Sequence, residues 1–326
     1  MPQDSVIYGV ARIRCHEKDL LTQDRLSRLI DASADEAVRQ LVEAGYGSLP
    51  DATIEDADRL IESELNDTYA LVREVSFKPK ATDLFLMKAD VHNLKLLLKL
   101  RLTGNGEKPA LMRGGNYSAE ALTDMVLNAD YRELPEEFQS ALNKLEQSFQ
   151  TAVDPVVVSV ALDRAYTEYA YRVGDKFSKE YFKIQADYNN VLSLLRLRAM
   201  NASADRLHAA LLPEGYIPHA RLLASMDAPL DLLGKALAEG PAREGILRGL
   251  ETMTKTGNIS ALEKERDNTL IELAAKGKPE NESIAPVIGY LLAREQEAKC
   301  IRLILTAKRN GLEDAIITER LRELYG

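Results

Sequence analysis

The sequence predicts an all-α fold built from three tandem, related helical units. Three observations carry this prediction. Glycine (18) and proline (12) are few among 326 residues, while the strong helix formers Ala, Leu, Glu, Lys and Arg are plentiful. Helix-capping signals recur along the chain, and no alternating strand pattern lies between hairpin turns. One segment of the sequence also recurs at a constant spacing, which is typical of an internally repeated protein.

Capping signals place several helix starts. Ser33–Glu36 and Thr53–Asp56 have the pattern of a capping box, in which the two end residues hydrogen-bond each other's backbone. Asp154–Pro155 and Asp227–Pro229 place a side-chain acceptor ahead of a proline in the first helical turn. Each of the four segments therefore predicts the start of a helix.

A stretch of thirteen residues recurs after 97 positions. Residues 89–101 and 186–198 match at seven of thirteen positions without a gap, whereas unrelated segments of this composition would share about one. Tyr69 and Tyr166 are separated by the same 97 residues. A shared offset at separate places indicates that this part of the chain arose by duplication.

A third copy is more divergent. Leu262 follows Leu162 by 100 residues, and Ala293 follows Ala186 by 107. The difference indicates an insertion, for which the polar segment 276–283 is the obvious place. Units of about 97 residues are longer than tetratricopeptide or HEAT repeats. The predicted units are residues 1–112, 113–211 and 212–326.

The last long helix of each predicted unit carries a polar pair. In the first unit, five leucines between positions 94 and 100 cover most of the helix circumference and predict burial on nearly all sides. Asp90 and Asn93 are three residues apart and share one face, in what the pattern predicts to be the N-terminal turn. The repeat assigns equivalent pairs to the other two units: Asp187 and Asn190, and Arg294 and Glu297.

No residue pattern in the sequence predicts catalysis or metal binding. Asp90 and His92 are two residues apart, so on a helix they point away from each other and cannot share a metal ion. His16–Glu17 lacks the second histidine of a zinc-protease helix, because Leu20 occupies that position. Phosphate-binding glycine loops and the Gly-x-Ser-x-Gly elbow are also missing. We therefore expect no catalytic residue, no cofactor, no metal ion and no direct nucleotide binding.

The charge balance argues against nucleic-acid binding. The chain has 42 basic and 51 acidic residues, a net charge of −9, whereas phosphate binding needs a clustered basic face. One basic cluster, Arg12, Arg14 and Lys18, is either a solvated helix face or a docking surface for an acidic partner. Tyr166 and Tyr169, on a segment that is not basic, are expected to be half-buried helix residues and not a base-stacking platform.

Three features favour a cytoplasmic protein that does not span a membrane. Cys15 and Cys300 belong to no paired-cysteine motif, so we expect reduced thiols. The longest uncharged apolar stretch, residues 156–162, is far shorter than the ~20 residues that cross a bilayer. The N-terminal residues also lack the apolar core of a signal peptide. We therefore expect a chain that does not span a membrane by itself.

Four motifs stand out in their order along the chain: Tyr8-x-x-Ala-Arg12-x-Arg14-x-x-Glu17-x-x-Leu20-Leu21, Asp90-x-x-Asn93-Leu-Lys-x-Leu-Leu98, Leu212-Pro-x-Gly215-Tyr216, and Tyr290-x-x-x-x-Glu295-x-Glu297-x-x-x-Ile301-Arg302-x-Ile304. Together they resemble the landmarks of a known family, the C subunit of the V/A-type ATPases and ATP synthases, whose eukaryotic relative is the d subunit. The resemblance covers essentially the whole chain and the three-unit repeat.

The resemblance implies a helical funnel with pseudo-threefold symmetry and a non-catalytic role. Such a protein sits on the membrane rotor ring and receives the end of the central axle in its hollow. The implied partners are the axle subunits and the rotor ring, and the implied location is cytoplasmic, at the membrane through the ring. The six polar residues would then either cap helices that face the hollow or contact a partner. A helical enzyme with an unrecognised site and a generic helical scaffold stay open as alternatives.

Overall fold

The structure, a computed structural model, describes residues 3–47, 49, 51–104, 109–148 and 154–325, and of residues 3–5 only the backbone. Within these ranges the regular secondary structure is entirely helical, without strands, which confirms the all-α prediction. In chain order the α-helices are α1 (Gln3–His16), α2 (Gln23–Asp31), α3 (Ala34–Glu43), α4 (Ala57–Val75), α5 (Pro79–Thr103), α6 (Ala119–Asn128), α7 (Glu136–Ser148), α8 (Pro155–Val173), α9 (Lys176–Ala199), α10 (Ala204–Ala210), α11 (His219–Ala224), α12 (Leu230–Leu237), α13 (Arg243–Thr256), α14 (Ser260–Lys276), α15 (Ala285–Arg309) and α16 (Asp314–Arg320).

Helices begin at all four predicted places, and three of the four predicted caps are present. The side chains of Ser33 and Asp154 accept hydrogen bonds from first-turn N–H groups of α3 and α8, at 3.4 and 2.9 Å. Thr53 and Asp56 form a capping box on the 3-10 turn that leads into α4. At the fourth segment a helix does begin, since α12 starts at Leu230, but the predicted cap is wrong: Pro229 is itself the N-cap residue and lies outside the first turn, and no side chain caps that helix.

The chain folds into two compact units, which differ from the three units predicted from the repeat. The first compact unit contains residues 1–82 and 267–326, and the second compact unit contains residues 83–266. Helix α15 is the centre of the first unit and packs against α1, α2, α3, α4 and α16. Its buried residues Ile301 and Ile304 belong to one core cluster with Leu41 of α3 and Ile61 of α4. The first unit is therefore assembled from both ends of the sequence.

The core of the second unit gathers α5, α6, α7 and α8. Leu94 and Leu98 of α5 are completely buried, as the leucine pattern predicts, and belong to one cluster with Phe138, Leu142 and Leu162. Helix α9 packs against α8, α10 and α11. Both long helices of this unit, α5 and α9, are therefore surrounded by neighbours that can approach their polar residues. None of the described helices is long and apolar enough to cross a bilayer.

Candidate functional site

The six polar residues predicted from the repeat lie near the middle of three long helices. Helices α5, α9 and α15 have 25, 24 and 25 residues, and each carries one polar pair. The expectation that Asp90 and Asn93 lie in a first turn is wrong, because α5 begins at Pro79 and the apolar run before Asp90 is already helical. None of the six can cap its own helix. All six are at most 4% exposed.

The first pair holds the loop that precedes α6. The carboxylate of Asp90 accepts hydrogen bonds from the backbone N–H groups of Asn116 and Tyr117, at 2.7 and 3.2 Å. The Asn93 amide makes a two-way contact with Met112: its Nδ2 donates to the carbonyl and its Oδ1 accepts from the N–H, both at 2.8 Å. We call this arrangement, a polar pair of a long helix bound to the backbone of a loop, a loop clamp.

The second pair forms a loop clamp of the same design ahead of α11. Asp187 accepts hydrogen bonds from the N–H groups of Tyr216 and Ile217, each at 3.0 Å. The Asn190 amide donates to the carbonyl of Leu212 at 3.2 Å and accepts from its N–H at 2.8 Å. The helix residues are 97 positions apart from those of the first clamp, and the loop residues are 100 apart. The contacts thus recur residue for residue.

In each of these two loops, a glycine lies against the carboxylate of the clamp aspartate. Gly115 lies against Asp90, and Gly215 lies against Asp187. Sequence reasoning noted Gly215 as part of a family motif but missed its partner, Gly115. The signal was available, because the two glycines are separated by 100 residues, the offset that Leu162 and Leu262 also share.

The third pair uses charged side chains on the loop before α2. The Glu297 carboxylate accepts hydrogen bonds from the N–H of Leu21 at 2.5 Å and from the Tyr46 hydroxyl at 2.8 Å. Arg294 donates to Glu297 at 3.0 Å and to the backbone carbonyl of Asp19 at 3.3 Å. Glu297 therefore takes the part of Asn93 and Asn190, since it binds the N–H of a loop residue.

The third clamp has an arginine where the first two have an aspartate, and the reason is the kind of backbone group that the loop presents to the side chain. In the first two clamps the loop presents two N–H groups, which a carboxylate can accept. In the third, the loop presents the carbonyl of Asp19, which needs a donor. A buried arginine also needs a counter-charge, which Glu297 and Glu64 provide, the latter at 3.3 Å. Sequence reasoning did not single out Glu64 or Tyr46, whose roles depend on contacts far apart in the chain.

Burial shifts the titration of the clamp carboxylates. It raises the pKa of Asp187 to about 6, although the N–H donors of Ile217 and Tyr216 act in the opposite direction. Burial also raises the pKa of Glu297 to about 7, against the opposing effects of Arg294, Tyr46 and the Leu21 N–H. Each of these carboxylates is hydrogen-bonded to groups of its own chain, so what it does in the structure is to hold a loop in place.

Two of the three basic residues singled out in the sequence form ion pairs, while the third, Lys18, is exposed. Arg12 forms an ion pair with Glu74 at 2.5 Å, and Arg14 forms one with Glu17 at 2.7 Å. Tyr166 is half-buried, as predicted, and its hydroxyl donates to the Leu84 carbonyl at 2.8 Å. Among the described residues, no group of histidine, cysteine, aspartate or glutamate side chains has a geometry that could hold a metal ion.

Fold and site together define an all-helical protein in which buried polar pairs on long helices hold the loops that lead into other helices. The chain belongs to the ATP synthase (C/AC39) subunit family, whose model matches residues 9–320. This match confirms the resemblance seen in the sequence motifs.

The similarity to individual members of the family extends over most of the length of both proteins. The chain is 21% identical to the C subunit of the V-type sodium ATPase of Enterococcus hirae, over 96% of this chain and 97% of that protein. It is 24% identical to the C subunit of the A-type ATP synthase of Pyrococcus abyssi, over 98% and 90%. It is 25% identical to the same A-type subunit of Methanothermobacter thermautotrophicus, over 96% and 87%.

Proposed function

We propose that this chain is a non-catalytic rotor component of a V/A-type ATPase or ATP synthase. In this role it couples the central axle to the membrane rotor ring, so that ion movement and nucleotide turnover are linked mechanically. Its partners are the axle subunits and the ring, and it lies on the cytoplasmic side, held at the membrane by the ring. The family match over residues 9–320 is the observation that carries the proposal.

The proposed architecture is a pseudo-threefold funnel of three units, residues 1–112, 113–211 and 212–326. Support comes from the loop clamps. In each clamp, a side chain of one long helix accepts a hydrogen bond from the backbone N–H of one loop residue: Met112 for α5, Leu212 for α9 and Leu21 for α15. A protein that transmits torque has to resist deformation, and close-packed interiors transmit strain well. Buried clamps that fix loops onto long helices suit that requirement.

For the six site residues we propose the loop-holding role and not direct contact with a partner. Their burial, with at most 4% of each residue exposed, supports this choice, since a partner surface needs accessible side chains. The recurring motif around Asp90 then belongs to the internal skeleton of the protein. Contacts with the axle and the ring would come from other, exposed residues.

The test is reconstitution of the complete complex with and without this chain. We expect the complex that lacks it to hydrolyse ATP in the nucleotide-binding head without driving ion movement through the membrane sector. We also expect the purified chain to bind the axle subunits and the detergent-solubilised ring. Ion pumping that continues unchanged without the chain would overturn the proposal.

A second measurement separates the alternatives. Thermal stabilisation of the purified chain by a nucleotide or metabolite, in the absence of any binding to axle or ring, would favour a helical enzyme. Binding to neither a small molecule nor the rotor subunits would favour a generic scaffold.

A further inference from the structure

Two carboxylates share one guanidinium in the third clamp. Arg294 pairs with Glu297 at 3.0 Å and with Glu64 of α4 at 3.3 Å, through two different nitrogens of the same side chain. The side chains of Arg294 and Glu297 are 4% and 3% exposed, and that of Glu64 is 18% exposed. An arginine carries one positive charge at any pH at which the chain is folded, so the fully ionised cluster has one negative charge in excess.

The groups around the cluster do not balance this charge. Those that face it from α1, α4, α15 and the segments after α1 and α3 are His16, Asp19, Tyr46, Asp67, Tyr290 and Cys300. Asp19 and Asp67 are acids and add to the excess. His16 is the only further base among these groups, and it lies 4.0 Å from Asp19 with 44% of its side chain exposed, so its charge belongs to the surface.

Both carboxylates have surroundings in which they can hold a proton. Glu297 accepts a hydrogen bond from the Tyr46 hydroxyl at 2.8 Å. A hydroxyl can accept as well as donate, so a proton on Glu297 keeps this hydrogen bond with the two roles exchanged. Glu64 is the more exposed of the two carboxylates and gives the proton a way in from the solvent.

The charge count and the burial act in the same direction. An uncompensated charge inside a protein is costly, and a buried carboxyl group avoids that cost by binding a proton. One proton is enough here, because the carboxylate that stays ionised balances the arginine. Burial raises the pKa of both groups, that of Glu297 to about 7, although Arg294 acts in the opposite direction on each.

Glu64 is the residue that distinguishes the third clamp from the other two. At the offsets of 97 and 100 residues that relate the repeats, the positions equivalent to Glu64 are Ala161 and Ala261. The clamps of α5 and α9 each combine one aspartate with a neutral asparagine. The third clamp is therefore the one that has two carboxylates around a buried cation.

We propose that Glu64, Arg294 and Glu297 form a proton-binding site, in which the two carboxylates share one proton that makes the buried cluster neutral. The proton belongs to the pair and not to either carboxylate alone. Loss of either carboxylate therefore removes the site, because the one that remains balances the arginine. The proposal concerns the first compact unit alone and does not rest on the rotor function.

The test is an NMR titration of the full chain with ¹³C-labelled glutamate carboxyl groups. The variants Glu64→Gln and Glu297→Gln assign the two resonances. In the unaltered chain we expect both resonances to shift together, with a midpoint at about pH 7. In each variant we expect the remaining resonance to lose that midpoint and to titrate at lower pH. A Glu297 midpoint that is unchanged in Glu64→Gln would show that burial of one carboxylate is sufficient, and would overturn the proposal.

A count of bound protons provides a second measurement. Between about pH 9 and pH 5 the unaltered chain should take up about one proton more than Glu64→Gln. Glu62→Gln is the matched control, since it removes an exposed glutamate of the same helix and should leave this uptake unchanged. Equal uptake by the unaltered chain and Glu64→Gln would contradict the proposal, as would an equal loss in Glu62→Gln.

Infrared spectroscopy of the unaltered chain keeps the proposal testable if the variants do not fold. We expect the carbonyl band of a protonated carboxylic acid to be present at about pH 6 and lost by about pH 8. Labelling of the glutamate carboxyl groups with ¹³C should shift this band, which separates it from any aspartate. A spectrum without a label-sensitive acid band at about pH 6 would overturn the proposal.

Discussion

Gly115 lies directly against the carboxylate of Asp90: a Cβ built on Gly115 would be 2.7 Å from Cγ of Asp90. The relationship recurs between Gly215 and Asp187, again at 2.7 Å. A buried carboxylate can reach the N–H groups of a passing loop only where no side chain stands between them. The glycine and the aspartate therefore act as one unit in each clamp.

Gly115→Ala is expected to lower the free energy of unfolding by about 1–3 kcal/mol, the usual cost of forcing extra volume into a packed site. Each of the three atoms nearest to the added methyl group belongs to Asp90, so the methyl displaces the carboxylate from the N–H groups of Asn116 and Tyr117. Denaturant-induced unfolding of the variant and the unaltered chain measures the difference.

The control for this prediction is the same substitution in an Asp90→Ala background. Without the carboxylate the three atoms nearest to the added methyl group are gone, so Gly115→Ala should cost much less there, giving a coupling energy of about 1 kcal/mol or more. An identical cost in both backgrounds would contradict the steric account.

The all-α fold class and the equivalence of the polar pairs on α5 and α9 were predictable because both depend on local or periodic signals. The 97-residue offset led to Asp90, Asn93 and their equivalents before any contact was known. Helix starts at Ser33 and Asp154 were predictable because a cap acts within three residues of itself. Placing Asp90 in a first turn was wrong for a related reason: an apolar run without a cap signal gives no local mark of where a helix begins.

The partners of the polar pairs could not be predicted, because they are distant in sequence. The Asn93 and Asn190 clamps close over 19 and 22 residues, and the Glu297 clamp closes over 276. No periodicity connects such positions. A signal of another kind was present: an aspartate or asparagine inside an apolar helix has to find a hydrogen-bond partner when it is buried.

Asn190→Asp is expected to lower the free energy of unfolding by about 1–3 kcal/mol. The Asn190 side chain both donates to and accepts from Leu212, whereas an aspartate can only accept and would place a buried charge beside the Leu212 carbonyl. Chemical unfolding at neutral pH measures the loss.

The adjacent Asn189 offers a matched control for the change of amide to carboxylate. It is half-buried, and its Oδ1 accepts from Arg266 at 3.3 Å. Asn189→Asp therefore adds its charge beside a cation and should change the stability little. A loss at Asn189 as large as that at Asn190 would show that added charge, and not the broken clamp, is responsible.

Arg294→Met is expected to destabilise the chain by about 3–5 kcal/mol, the usual cost of leaving buried charges without a partner. Arg294 is the ion-pair partner of both Glu297 and Glu64. The double variant Arg294→Met/Glu297→Gln should recover part of the loss, because glutamine is neutral and can still accept from the Leu21 N–H. Thermal and denaturant unfolding of the three proteins provide the comparison. A double variant no more stable than the single one would contradict this account of the third clamp.

Asp187 should make the stability of the chain depend on pH in a direction opposite to that of most carboxylates. Its pKa is about 6 in the folded chain against an ordinary value of 3.8, so the folded state binds the proton more tightly than the unfolded state. The stability contributed by protonation is therefore fully present below pH 3.8 and is lost as the pH rises through about 6.

The variant Asp187→Asn isolates this effect, since its side-chain oxygen can still accept from Tyr216 and Ile217 but cannot ionise. The free energy of unfolding of the unaltered chain, minus that of Asp187→Asn, should increase by about 1.4 kcal/mol between about pH 8 and pH 5. The exposed Asp205→Asn corrects for the general effect of removing one negative charge. A difference that stays flat or falls over this range would mean that the N–H donors of the loop outweigh burial and that Asp187 holds the loop as a full anion throughout.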